Sequence, residues 1–154
     1  ADPTRSKRLA DWRALGLAPV GKLANDETFG VLQLIVPAGA TGPAFLVTTN
    51  FRAILRYNNA VPYALSVGHL ADRLADADPL STPWPLGDKG LSRVEREEMQ
   101  RLLTTRGHDA GQPDGILGTQ SRSAIRAYQA ASGVPPDGHP NGALLDRLRR
   151  ENRP

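Results

Sequence analysis

Apolar and polar positions change their period several times along this chain, and each change marks an element. Leu9, Trp12 and Leu15 recur at helical spacing; Ser6 is the predicted N-cap and Gly16 the stop. "TFGVLQLIV", residues 28–36, is β-branched and almost wholly apolar, which predicts a strand buried on both faces, ended by Pro37. "AGATG" then turns, and "PAFLVTT", residues 43–49, predicts a second strand, giving an antiparallel hairpin. Asn50 is the predicted cap of a helix from Phe51 to Asn58. A break over residues 59–62 follows, with Pro62 in the first turn of the next helix, where a missing N–H costs little. There Val67, Leu70, Ala71 and Leu74 line one face, and Ala64 and Gly68 permit close approach by another helix.

After residue 90 the pattern is purely helical. "SRVEREEMQRLLTTRG" opens with a capping box of Ser92 and Glu95 and stops at Gly107. "TQSRSAIRAYQAASG" predicts a helix burying Ala124, Ile125, Tyr128 and Ala131, with Gly133 as its stop. "NGALLDRLRR" predicts a third, capped by Asn141, with Leu144, Leu145 and Leu148 inside. Between these helices lie "QPDGILG" and "PPDGHPNG". In both, Pro fixes φ, Asp bonds its own backbone and Gly takes positive φ, so a turn–helix unit is used twice. Residues 75–90, "ADADPLSTPWPLGDKG", read as a linker, with Trp84 between two prolines as its predicted anchor on a neighbour. The expected division is therefore an α+β unit over residues 1–74, the linker, and an all-α three-helix unit over residues 91–150. Two strands and three short helices bury little core alone, so the first unit is expected either to be covered by residues 75–154 or to lack an upstream part.

The length, 154 residues, suits one domain or two small ones, and 15 glycines and 13 prolines fit a chain with several turns. No cysteine is present, which excludes disulfides, zinc–thiolate centres and cysteine nucleophiles. No apolar run reaches the roughly 20 residues of a membrane span. No basic-then-apolar leader opens the chain, so a signal peptide is expected to be absent or already removed. The net charge of +3 is spread over the whole length, without the basic stripe and interleaved aromatics of a nucleic-acid surface. No metal or other cofactor is expected. His69, His108 and His139 have no ligand spacing, and Asp114 with Gly115 and Gly118 lacks the oxygens of a calcium loop.

The candidate chemistry sits in "ILRYNNAVPY". Tyr57, Asn58 and Tyr63 flank one predicted bend, where a plain core would want apolar residues. Tyrosine faces stack on sugar rings, and Asn both donates to and accepts from hydroxyl and acetamido groups. The residues alone leave two readings open: a binding rim, or a hydrogen-bonded helix break. Glycosidic cleavage needs a sheltered acid of raised pKa. Glu27, the single Glu of residues 1–94, lies in the polar loop "NDETFG" and is expected to be solvated and ionised.

"GPAFLVTTNFRAILRYNNAVPYALSVGHLADRL", with "LADWRALGL" and "LQLIVPAGA" upstream, resembles the end of the catalytic domain of B-type lytic murein transglycosylases. "PDGILGTQSRSAIRAYQAASGVPPDG" resembles the three-helix peptidoglycan-binding domain often joined to them. The resemblance implies a partial lysozyme-like lobe followed by a binding module, in the bacterial periplasm. It implies non-hydrolytic cleavage of the β-1,4 bond between N-acetylmuramic acid and N-acetylglucosamine. One Glu protonates the leaving oxygen and then helps the muramyl 6-hydroxyl close on C1, giving a 1,6-anhydro product. By the same resemblance Tyr57, Asn58 and Tyr63 line the cleft, and Asn50 and Phe51 serve the fold.

The departures have consequences. The family's catalytic Glu stands in a Glu-Ser-x-Phe-Gly-like motif on an upstream helix, whereas "ETFG" here is shorter and leads into a strand. Glu27 is therefore not expected to inherit that role. The Gly-rich, Gln-containing cleft motif is missing, and Ala60 and Val61 replace small polar residues. The expectation is a C-terminal portion that supplies cleft wall and peptidoglycan binding but carries no catalytic residue of its own. Its partners are peptidoglycan and the missing N-terminal catalytic part. The alternatives are a non-catalytic wall-anchoring protein and, more remotely, a basic nucleic-acid binder. Asp114, Arg122 and Tyr128, near the first Asp-Gly turn, are the candidate contacts of the binding module.

Overall fold

The structure, a computed structural model, describes residues 6–21, 27–88 and 90–152, Glu27 by its backbone alone. It divides into two units: Ala1–Pro37 with Gly42–Pro83, and Ala38–Thr41 with Trp84–Pro154.

In the first unit, β1 (Ser6–Arg8) leads directly into α1 (Leu9–Ala14). A 3-10 turn (Glu27–Phe29) precedes β2 (Val31–Ile35), and β3 (Phe45–Val47) precedes α2 (Thr49–Tyr57) and α3 (Val61–Leu74). The sheet is antiparallel, in order β1-β2-β3. The expected hairpin is present, with Gln33 opposite Val47 and Ile35 opposite Phe45. The third strand was not expected: Ser6 pairs with Gln33 instead of capping a helix. The N-cap of α1 is Arg8, whose N–H donates to Asp11 (3.3 Å), while Gly16 ends the segment at φ +87° as predicted.

The core of this unit is small. Leu9, Trp12 and Leu32 are buried together, and the Trp12 indole N–H donates to the Leu32 carbonyl (3.1 Å), so the one polar atom of the ring is satisfied. β2 is not buried on both faces: Leu32 is inside, Val31 is exposed and residues 33–35 are half-buried. On the face away from Leu32, Gln33 and Ile35 of β2 and Phe45 and Val47 of β3 are half-buried. α3 buries little of its apolar face. Its inward residue is Ala64, whereas Val67, Leu70, Ala71 and Leu74 are exposed, Leu74 by 79%. Among the described residues no element of this unit covers that stripe. A side chain added at Gly68 would meet nothing, so no helix approaches closely there.

The second unit holds α4 (Arg93–Thr105), α5 (Thr119–Ala131) and α6 (Gly142–Glu151), with a 3-10 turn (Gly39–Thr41). The Ser92–Glu95 capping box forms as predicted: Glu95 N–H donates to Ser92 Oγ, and Ser92 N–H donates to the Glu95 carboxylate (2.8 Å). Asn141 Oδ1 accepts from Leu144 N–H (2.8 Å), so the third cap also holds. Met99, Leu103, Ala110, Ala124, Ile125, Tyr128, Leu144, Leu145 and Leu148 form one core. Ala131, predicted inside, is exposed at the last turn of α5. Arg149 grips Glu98 through two nitrogens (2.7 and 2.9 Å), tying α6 to α4. Trp84, the predicted linker anchor, keeps 46% of its surface exposed.

Candidate functional site

The bend between α2 and α3 positions the first group of candidate residues. α2 starts from Thr48, earlier than the expected Asn50 cap, and ends at Tyr57. Asn58 leaves the helix with extended backbone (φ −139°, ψ 111°), its N–H still donating to Ile54 O (3.0 Å). Ala60 N–H donates to Asn58 O (2.8 Å) and Ala60 caps α3, whose first turn contains Pro62. This short break brings the tyrosine rings of two successive helices together. Their centroids lie 6.2 Å apart, tilted by 32°. Tyr57 is 84% exposed, Asn58 is exposed, and Tyr63 is 38% exposed. Neither aromatic is needed for the core, so the pair presents a stacking surface to solvent with an amide beside it. The Glu27 carboxylate, expected in solvent, lies outside the described residues.

The two Asp-Gly turns of the second unit form the other group, and they are built alike. Gln100, buried on α4, accepts at Oε1 from Gly115 N–H (2.8 Å) and donates from Nε2 to Asp114 Oδ1 (3.2 Å). Gln129, buried on α5, accepts from Gly138 N–H (2.8 Å) and donates to Asp137 Oδ1 (2.7 Å). The same Oδ1 atoms accept the N–H of Ile116 and of His139, both at 2.8 Å. Gly115 and Gly138 take φ +76° and +73°. A side chain on either would strike the helix behind, 3.1 Å from the carbonyls of Arg93 and Arg122 respectively. Each turn is thus clamped to the preceding helix by one glutamine amide.

The electrostatics follow from these donors. The Ile116 amide, then the Gln100 amide, hold the Asp114 carboxyl below the ordinary range. For Asp137, burial pushes upward most strongly, but the amides of His139, Ala40 and Gln129 together outweigh it and the net shift is down. Both turns therefore present carboxylates at neutral pH. A shallow cleft of about 180 Å³ opens at the first turn, lined by Gln112, Asp114, Ile116 and Thr119 among others.

The three candidate residues of this module part company. Asp114 is exposed on the first turn. Arg122 reaches the second, donating to Gly138 O (3.4 Å). Tyr128 is a core residue, edge-on to His108 (5.8 Å), with its hydroxyl donating to Glu151 (3.0 Å). Sequence reasoning missed Gln100 and Gln129. The signal was present: each is a glutamine on a helix leading into a Pro-Asp-Gly turn. Among the described residues no three metal-ligating side chains converge.

Comparison with known proteins agrees with this layout. Residues 1–72 match the family model described as Transglycosylase SLT domain, and residues 92–148 match the Putative peptidoglycan binding domain. The crystal structure of SltB3 from Pseudomonas aeruginosa in complex with NAG-NAM-pentapeptide is 50% identical, with a TM-score of 0.87 over 97% of this chain. That of SltB3 in complex with NAG-anhNAM-pentapeptide is 48% identical, with a TM-score of 0.82 over 95% of this chain. The chain spans 40% of the length of each of these structures. No curated protein matches it. By segment, then, the chain is similar to a transglycosylase SLT domain of mixed α+β structure followed by a helical peptidoglycan-binding domain.

Proposed function

We propose that this chain is the C-terminal part of a B-type lytic murein transglycosylase acting in the bacterial periplasm. The carrying observation is the exposed Tyr57–Tyr63 pair, 6.2 Å apart with Asn58 at the bend, inside the segment similar to a transglycosylase domain. In this reading Tyr57 and Tyr63 stack on sugar rings of the glycan strand, and Asn58 hydrogen-bonds a hydroxyl or acetamido group. The acid that protonates the glycosidic oxygen between MurNAc and GlcNAc stands on the N-terminal part of the parent protein. It then assists closure of the 6-hydroxyl on C1. The residues named here orient the sugar, and the second unit holds the chain on the wall.

The test uses the chain as it stands. It should sediment with insoluble murein and release no 1,6-anhydro-muropeptides. Joined to the upstream part, it should release them, and Tyr57→Ala should lower that rate at least roughly tenfold through lost positioning. Turnover by the 154-residue chain alone would overturn the assignment of the acid. Murein binding with no turnover by the longer protein would favour the wall-anchoring alternative.

A further inference from the structure

The two clamped turns differ in one respect, which points to a ligand. At the second turn the outer oxygen of the aspartate is occupied: Asp137 Oδ2 accepts the backbone N–H of Ala40 (2.7 Å). The residue before that amide, Gly39, lies against the turn with φ +68°. An L-configured Cβ there would stand 2.7 Å from Asp137 Oδ2 and 2.9 Å from His139 Cβ. At the first turn, Asp114 holds the equivalent place, and its Oδ2 has no hydrogen-bond partner among the described residues. Ile116, in the position of His139, is 71% exposed, and both residues line the 180 Å³ cleft.

We infer that the first turn is a peptide-binding site, in which Asp114 Oδ2 accepts a backbone amide N–H that follows a small residue of positive φ. Two kinds of residue adopt that backbone without strain: glycine and, by mirror symmetry, a D-amino acid. A D-residue also directs its Cβ away from the position where an L-residue collides. The site thus selects a D-alanine-like residue followed by an amide, against its L counterpart. The Asp114 carboxylate repels a free terminal carboxylate, so the group taken is an internal or amidated N–H. The ligand class is a peptide containing D-residues, as opposed to bare glycan. This deepens the peptidoglycan-binding reading of the second unit and rests on it.

The experiment titrates the ¹⁵N-labelled 154-residue chain with Ac-D-Ala-Gly-NH₂, with Ac-L-Ala-Gly-NH₂ and with the NAG-NAM disaccharide lacking peptide. The D-peptide should shift the amides of Gly115 and Ile116 and the side-chain amide of Gln100. The L-peptide should bind roughly tenfold more weakly, given the penalty an L-residue meets at positive φ. Asp114→Asn keeps an oxygen for the Ile116 and Gln100 donors but turns an NH₂ outward, and should weaken the D-peptide roughly tenfold. Equal binding of the two peptides, or shifts of the same amides by the disaccharide, would overturn the inference. The D/L comparison on the unaltered chain decides the matter even if the Asn variant folds poorly. Sedimentation with insoluble murein separates the two levels: binding with the turn unperturbed sinks only this inference, and no binding sinks the parent reading.

Discussion

The two units make opposite use of similar helices. In the second, α4, α5 and α6 bury eight residues in one core with Ala110 of the connecting loop, and their apolar faces are spent on one another. In the first, α1 and the sheet bury Leu9, Trp12 and Leu32, while α3 leaves Val67, Leu70 and Leu74 in solvent. Apolar residues recur at helical spacing in both α3 and α6. The difference teaches that periodicity reports which face a helix can bury, and that a partner element decides whether it does.

Substitutions test that contrast most directly where the core is closed. Leu145→Ala should destabilise the second unit by about 2–5 kcal/mol, seen as faster amide hydrogen exchange along α4, α5 and α6. An equal loss of protection in the sheet of the first unit would break the contrast. Next in size is Gln129→Ala, which strands the Gly138 N–H and takes one donor from Asp137 Oδ1. It should cost about 1–3 kcal/mol in urea unfolding, and Gln100→Ala at least as much, because Gln100 Nε2 also reaches Gln112 O and Ser121 Oγ. Ser92→Ala removes a helix cap and should cost about 1 kcal/mol.

Acid sharpens the comparison further. Asp114 and Asp137 titrate below their unfolded values, so the folded second unit binds fewer protons than the unfolded chain, and its stability rises with pH. That contribution is complete above the unfolded aspartate value of about 4 and fades as pH falls through the lower folded values. The urea midpoint of the second unit should drop between about pH 5 and pH 3, and Asp137→Asn should flatten the drop. Smallest of all, Leu74→Ala should change stability by less than about 0.5 kcal/mol, because its side chain is already in water. A large loss there would mean that the stripe on α3 is covered after all.

Much of the second unit was readable in advance because its signals are local. Ser92 with Glu95, Asn141 and the repeated Pro-Asp-Gly each specify their own backbone within a few residues. The buried faces of α5 and α6 followed from spacing, Ala131 excepted. The first unit was less legible because its features are set at a distance. β1 is three polar residues, Ser-Lys-Arg, and becomes a strand only because β2 lies beside it. The apolar face of α3 was legible from spacing, but spacing does not tell that it stays in solvent. Tyr57, Asn58 and Tyr63 were singled out by being polar or aromatic in an apolar pattern, and the structure puts the two rings at one bend. The glutamine clamps went unread because each glutamine taken singly looks like a surface residue, and only its recurrence before both Pro-Asp-Gly turns marks it.

Each clamp also has a consequence for variation. The glutamine grasps its loop by main-chain atoms of the glycine and by the aspartate, and leaves the next side chain untouched. Ile116, whose side chain is exposed, can therefore vary within a fixed frame, whereas the His139 ring is held by Asp88 (2.5 Å). Changing Ile116 would alter what the first loop touches while its path, fixed by main-chain bonds, stays the same.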